Sequence, residues 1–301
     1  TFSSLFLQTA PADGPVAVIS QSGSMAIVPY CMLRDRGIGV RYSIATGNQL
    51  DLTVGDFTKA VVADPDVKLV LLYMEEIPNA DSLIQAAELA KKRQVAIVAL
   101  KAGWSSRGQA AAKSHTGALA NEDRVVQAFF DKHGIWRADD LDDLMRATDL
   151  YLKGWHPKGR KLAVLTDSGA TAVMMSDQAE RVGLELVDFS SETTQGLKKI
   201  LPAFASTRNP VDMTAALREE PFLFEQVLET VAKDAQADLY AVGFPASGAG
   251  YDVQRFARDA VAFSEKHAVP LVMAVPQPHV ACHFIQAGIP TFVSEANALK
   301  A

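Results

Sequence analysis

The sequence predicts an α/β protein built from two doubly wound parallel-sheet domains. Three observations predict it. Short runs of Val, Ile and Leu alternate with amphipathic stretches along the chain, the pattern of strands buried on both faces and joined by helical crossovers. At 301 residues the chain exceeds one ordinary domain. One passage also occurs twice. V-A-V-I-S-Q-S-G-S-M-A, Val16 to Ala26, aligns without a gap on L-A-V-L-T-D-S-G-A-T-A, Leu162 to Ala172. Ser22 falls on Ser168, Gly23 on Gly169, Ala26 on Ala172 and, further on, Gly37 on Gly183.

The elements follow in order. The apolar run at residues 16–19 predicts a strand and the amphipathic stretch 25–36 a helix. Strands at 40–45, 69–73 and 96–100 then alternate with helices at 54–63, 80–93 and 121–133. Gly154-Trp155-His156-Pro157-Lys158-Gly159 carries Gly, Pro and charge just before the second copy begins, and predicts the domain break. Beyond it, strands at 162–165, 184–187, 239–242 and 271–274 are interleaved with helices at 171–182, 222–233 and 253–267. Repeated strand-then-helix order with right-handed crossovers gives two flavodoxin-like domains, residues 1–153 and 160–301, with ligand sites at the C-terminal ends of the strands.

Composition narrows the function. Hydrophobic residues make up 49% of the chain and charged residues 21%, which supplies a core and argues against disorder. A net charge of −6 argues against nucleic-acid binding, which needs a basic face. No apolar run approaches the ~20 residues that span a bilayer. Two cysteines, Cys31 and Cys282, make no disulfide framework and fit a reduced, cytoplasmic setting. The N-terminus has neither an initiator Met nor the pattern of a signal peptide, so a processed chain or a piece of a longer one is expected.

The duplicated turns are the first candidate site. Each places a small polar Ser-Gly step between a strand and a helix, where free backbone N–H groups welcome an anion. Ser22, Gly23 and Ser24 form the first and Ser168, Gly169 and Ala170 the second; together they suggest one anionic group between two helix starts. Ser22 or Ser24 serves equally as a plain helix cap. Asp167 beside the second turn opposes two equal phosphate sites. Between the repeats, Lys101 to Ala120 reads K-A-G-W-S-S-R-G-Q-A-A-A-K-S-H-T-G-A-L-A, a long small-residue loop after a strand, the kind that carries function. Its one imidazole, His115, has small neighbours that leave it accessible to a phosphoryl group; a surface histidine fits the same facts.

Glu75 and Glu76 end the strand before, on the same rim. A carboxylate there fixes the tautomer of an imidazole and leaves its other nitrogen nucleophilic. Glu75 is the choice, against a solvated acidic turn. His133 and His267 end helices, where a cation suits the dipole. His279 and His283 flank Cys282 without further ligands, so no metal site is expected. Asn209-Pro210-Val211-Asp212 is a turn-to-strand element that brings Asp212 near a rim.

These residues resemble a known family. K-A-G-x-S-S-x-G followed by S-H-T-G-A, residues 101–118, resembles the phosphohistidine segment of the NDP-forming acyl-CoA synthetases, relatives of succinyl-CoA synthetase and the ADP-forming acetate–CoA ligases. S-Q-S-G-S at 20–24 resembles that family's first phosphate-cradling helix start and T-D-S-G-A at 166–170 the second; T-G-N at 46–48, Y-M-E at 73–75 and N-P-V-D at 209–212 also fit. The resemblance covers nearly the whole chain. It implies that His115 is transiently phosphorylated, that Glu75 orients its ring, and that the two helix starts hold the phosphoryl oxygens. Asn48, Lys101 and Gly117 lie in matching segments as substrate or loop positions.

The resemblance also implies two succinyl-CoA synthetase-like domains working with a CoA-binding domain and an ATP-grasp domain, in the same chain or in a partner subunit. Neither domain is recognisable here, so the chain is expected to be the central piece of a larger synthetase and inactive alone. CoA, ATP or GTP, Mg and a small carboxylic acid are the expected reactants of the complete enzyme, a cytoplasmic protein for which an oligomer is one option. The alternative is a non-catalytic module that senses acyl-CoA or phosphate; a weaker one is a binder of flavin phosphate.

Overall fold

The computed structural model describes residues 12–49, 51–116, 122–234, 236–245 and 249–301, and within the second of these stretches not the side chains of His115 and Thr116. The chain forms two compact units that divide between Lys153 and Gly154.

Unit 1 runs β1 (Val16–Ser20), α1 (Gly23–Asp35), β2 (Val40–Ala45), α2 (Val54–Val62), β3 (Leu69–Met74), α3 (Ala80–Arg93), β4 (Ala96–Lys101), α4 (Ser106–Thr116), α5 (Asp123–His133), β5 (Trp136–Ala138) and α6 (Leu141–Tyr151). Its sheet is parallel, in the order β2-β1-β3-β4-β5, which is the flavodoxin-like order. Successive β1 residues serve opposite layers. Ala17 and Ile19 pack with Val62, Leu72, Leu83 and Phe130, and Val16 and Val18 with Leu33, Leu71, Leu144 and Met145. That double burial is why these strands are continuous apolar runs.

Unit 2 runs β6 (Lys161–Thr166), α7 (Gly169–Arg181), β7 (Glu185–Leu186), α8 (Ser191–Ile200), β8 (Val211–Asp212), α9 (Ala216–Glu219), α10 (Leu223–Ala232), β9 (Leu239–Gly243), α11 (Val253–His267), β10 (Leu271–Ala274), α12 (Pro278–Gln286), β11 (Thr291–Phe292) and α13 (Glu295–Lys300). The parallel order is β11-β10-β9-β6-β7, with β8 also on β6. The duplication is therefore structural. β6, β7, β9, β10 and β11 repeat β1 to β5, and Gly37 and Gly183 both end their helix's connection in the left-handed region, at φ 76° and 74°. Phe224, Phe244, Phe256 and Phe284 anchor the larger apolar layer of this unit, with Phe224 meeting Phe244 and Phe256 edge-on at 5.2 and 5.5 Å.

The second copy carries additional chain between β7 and β9. There β6 is paired at its start by β7 and at its end by β8, and the side chain of Asn209 bridges the gap. Its Oδ1 accepts from the Val164 N–H at 2.9 Å, and its Nδ2 donates to the carbonyls of Leu162 and Val187 at 2.7 and 3.1 Å. The N-P-V-D segment, expected as a turn leading into a strand, supplies that strand and also satisfies the middle of a strand edge.

The loop expected over 101–120 is corrected by the structure: residues 106–116 are helical. Ser105 starts this helix, its Oγ accepting from the Gly108 N–H at 3.1 Å, and Gln109 to Ala112 are good helix formers. No buried stripe marks it. Every described side chain of α4 is exposed or half-buried, so the apolar period that reveals other helices is missing.

Candidate active site

The register of the sheet assembles the site in unit 1. Ser20 lies opposite Tyr73, and Met74 opposite Lys101. The C-terminal ends of β1, β3 and β4 are therefore neighbours, and the segments after these strands share one rim: Gln21-Ser22-Gly23-Ser24 past β1, Glu75-Glu76 past β3, and Ala102 leading to α4 past β4. Gly103, at φ 73°, turns the chain there, and Gly108 packs against it so closely that an added Cβ would sit 3.3 Å from the Gly103 Cα.

The first Ser-Gly turn is preorganised from within. Ser20 Oγ donates to the Ser22 carbonyl at 2.7 Å and accepts from the Ser22 N–H at 3.0 Å. Neither serine caps the helix, contrary to the simplest expectation. Ser22 stands at the N-cap with extended backbone and no side-chain cap bond, and its Oγ meets Ser24 Oγ at 3.0 Å instead. The first amides of α1 are thus not spent on the N-cap side chain. A Cβ built on Gly23 would meet nothing within 4 Å, so the helix start faces open space.

Glu75 is buried, at 9% exposure, which removes the reading of a solvated acidic turn. Tyr73 Oη donates to its Oε1 at 3.3 Å. Burial, then the nearby Glu75 charge and the hydrogen bond to it, push the Tyr73 phenol up to about 12. Lys101 is 3% exposed, and its Nζ donates to the carbonyls of Glu75 and Ala102, both at 2.7 Å. Burial lowers its pKa. Its position marks it as part of the rim's frame. Asn48 is exposed in the turn after β2; that turn meets β1 through the Thr46 N–H, which donates to the Ser20 carbonyl at 2.8 Å. His115 is the penultimate residue of α4, about 14 Å along the helix from its first residue. Its ring and Gly117 lie outside the described residues.

The second turn keeps the same frame with different contents. Thr166 Oγ1 replaces Ser20 Oγ, donating to the Ser168 carbonyl at 3.5 Å and accepting from the Ser168 N–H at 3.2 Å. Here the cap is made: Ser168 Oγ accepts from the Thr171 N–H at 3.5 Å. Asp212 stands over Gly169, where a built Cβ would lie 3.4 Å from its Oδ2, and the Thr214 N–H holds its Oδ1 at 2.9 Å. Burial, then the Asp167 charge, raise the Tyr251 phenol. Two carboxylates beside this helix start oppose an incoming anion; Asp167 was expected at this turn, and Asp212, expected near a rim, is brought to it by folding.

Known proteins share this architecture. Residues 13–151 match the succinyl-CoA ligase like flavodoxin domain, and residues 162–247 the ligase-CoA domain. The chain belongs to the NDP-forming acyl-CoA synthetase family. Trans-feruloyl-CoA synthase FCS1 of an unknown prokaryotic organism is 33% identical over 78% of the chain and 33% of its own length. The alpha subunit of ADP-forming acetate–CoA ligase II of Pyrococcus furiosus is 33% identical over 71% of the chain and 46% of its own length. Among solved structures, the dinucleotide forming acetyl-coenzyme A synthetase 1 of Ca. Korarchaeum cryptofilum, in complex with phosphate and ADP, superposes with a TM-score of 0.85 at 25% identity, covering 97% of the chain and 64% of that one. The chain thus spans a third to a half of the length of these curated relatives. Among the described residues, no helix is long and apolar enough to cross a membrane.

Proposed function

We propose that this chain is the core of an NDP-forming acyl-CoA synthetase that makes acyl-CoA from a carboxylic acid, CoA and NTP through a phosphohistidine at His115. One observation carries the reading. A buried carboxylate, an open helix start and the root of the helix bearing His115 come directly after three adjacent strands of one sheet. The CoA- and nucleotide-binding parts belong to other regions of the same chain or to a partner subunit, in agreement with the greater length of the relatives, and the enzyme works in the cytoplasm.

Each residue has a task. Glu75 accepts a hydrogen bond from one imidazole nitrogen of His115, which fixes the tautomer and leaves the other nitrogen with its lone pair outward. That nitrogen attacks the γ-phosphorus of Mg-NTP, and the bond to the bridging oxygen breaks to release NDP. The substrate carboxylate next takes the phosphoryl group from the ring, and the thiol of CoA displaces phosphate from the resulting acyl phosphate. The travelling group is anionic throughout, so the protein's contribution is placement and charge. The amides at Ser22, Gly23 and Ser24 hold phosphoryl oxygens; a helix start adds about 0.3–1 kcal/mol from its dipole and up to ~2 when partly buried. Because few buried contacts retain α4, its outer part is inexpensive to displace, which suits a residue that must reach a nucleotide held elsewhere.

The test is the label. The full-length protein incubated with Mg-ATP carrying a labelled γ-phosphate gains an acid-labile, base-stable phosphate, and His115→Ala abolishes it. Retention of the label by that variant removes His115 from the chemistry.

A further inference from the structure

Two side chains on this rim have no part in that chemistry, yet they claim every backbone polar group of residues 75 and 76. Gln21, the first residue past β1, is 7% exposed. Its Oε1 accepts the N–H of Glu75 and, at 3.0 Å, that of Glu76, while its Nε2 donates to the Glu76 carbonyl at 2.8 Å. From the other flank Lys101 Nζ donates to the Glu75 carbonyl at 2.7 Å. The sheet itself needs none of these bonds: its ladder continues through the Gln21 N–H to the Tyr73 carbonyl at 3.1 Å and the Ala102 N–H to the Met74 carbonyl at 2.9 Å. Burying an amide and an ammonium is costly unless both are paired, and here the amide is spent wholly on this dipeptide and the ammonium is shared between it and the Ala102 carbonyl.

We propose that Gln21 is the positioning residue that aims the Glu75 carboxylate, with Lys101 closing the opposite side. The inference rests on the reading of Glu75 as the partner of His115. Four backbone bonds fix the Glu75 Cα–Cβ direction, and Gln21 sits two residues before α1 begins at Gly23. One side chain therefore sets both where the carboxylate points and how far it stands from the amides that receive the phosphoryl group.

The experiment is a double-mutant cycle on the full-length enzyme, reading the single-turnover rate of phosphoenzyme formation from labelled Mg-ATP and, beside it, nucleotide affinity and Tm. Gln21→Met is expected to slow the step roughly 10²-fold, the scale of a misplaced group, with nucleotide affinity unchanged. Gln21→Glu, which can keep both accepted N–H bonds and loses only the donor, is expected to be faster than Gln21→Met. Gln21→Met with Glu75→Gln is expected to be no slower than Glu75→Gln alone, because a positioning residue has nothing left to position. Additive losses, or a folded Gln21→Met variant at the parent rate, overturn the positioning role alone. Glu75→Gln at the parent rate overturns the reading of Glu75 itself and this inference with it. Where Gln21→Met does not fold, the cycle is run with Gln21→Glu.

Discussion

At the first Ser-Gly turn a serine hydroxyl at the end of β1 closes a loop of two hydrogen bonds with Ser22; at the second, the threonine hydroxyl at the end of β6 does the same with Ser168. The backbone frame is common to both. The surroundings diverge. In the first, the helix start is uncapped, open, and flanked by Glu75 held at the end of the adjacent strand. In the second, Ser168 spends its hydroxyl on the helix and Asp212 stands over Gly169. A duplicated frame therefore does not imply duplicated surroundings: the first turn leaves its helix start uncapped and open, while the second caps it and sets a carboxylate beside it.

Four measurements break or sharpen that contrast. Glu75→Gln is expected to slow phosphoenzyme formation roughly 10²-fold, the lower end of what a positioned proton-handling group supplies; an unchanged rate would place the chemistry away from the first turn. Gly23→Ala comes next. Its methyl clashes with nothing within 4 Å, so Tm should hold or rise, while the crowded amides should cost roughly tenfold to 10²-fold in the same rate. Gly169→Ala, already beside Asp212, should change the rate less; the reverse ranking would exchange the roles of the two turns. Third, Ser168→Ala should lower unfolding free energy by about 0.5–1 kcal/mol through its lost cap, and Ser22→Ala by less, as chemical denaturation would show.

The smallest effect lies at the opposite edge of the first sheet. There Asp64 accepts from the Asp66 N–H at 2.9 Å, Arg41 Nε at 2.6 Å and Tyr42 Oη at 2.7 Å. The Asp66 N–H first, then Arg41 and Tyr42, hold its carboxyl down at about 2. Since the folded value is depressed below the unfolded one of roughly 3.9, the stabilisation is complete above that value and vanishes as pH falls toward 2. Asp64→Asn should therefore melt below the parent at pH 7, converge with it by pH 2, and leave phosphoenzyme formation untouched. A slower chemical step in that variant would mean that the two edges are coupled.

The sheets were legible because their strands are buried on both faces: Val16 to Ile19 and Leu69 to Leu72 face two apolar layers and admit no polar residue. The Ser-Gly repeat was legible because it is local. Helix α4 was not, since Ser, Ala and Lys with no buried stripe read as a loop. The edge strands β5 and β11, of three and two residues, are too short to show a period. Gln21 escaped notice because its partners are 54 and 55 positions away, and a glutamine in a small polar turn looks like any solvated residue. Asp212 was expected near a rim, but its neighbour there, Gly169, is 43 positions away in the chain and only folding brings the two together.

The amide of Asn209 has a consequence beyond its three bonds. By standing in for missing strand, it seals one margin of the second sheet where the chain detours between β7 and β8. Replacing it with Leu would strip partners from the Val164 amide and bare a stretch of unsatisfied main chain, a template on which another molecule's extended segment can dock. The detour itself is held as well, since it carries α8, whose Leu197 is fully buried in the core of this unit.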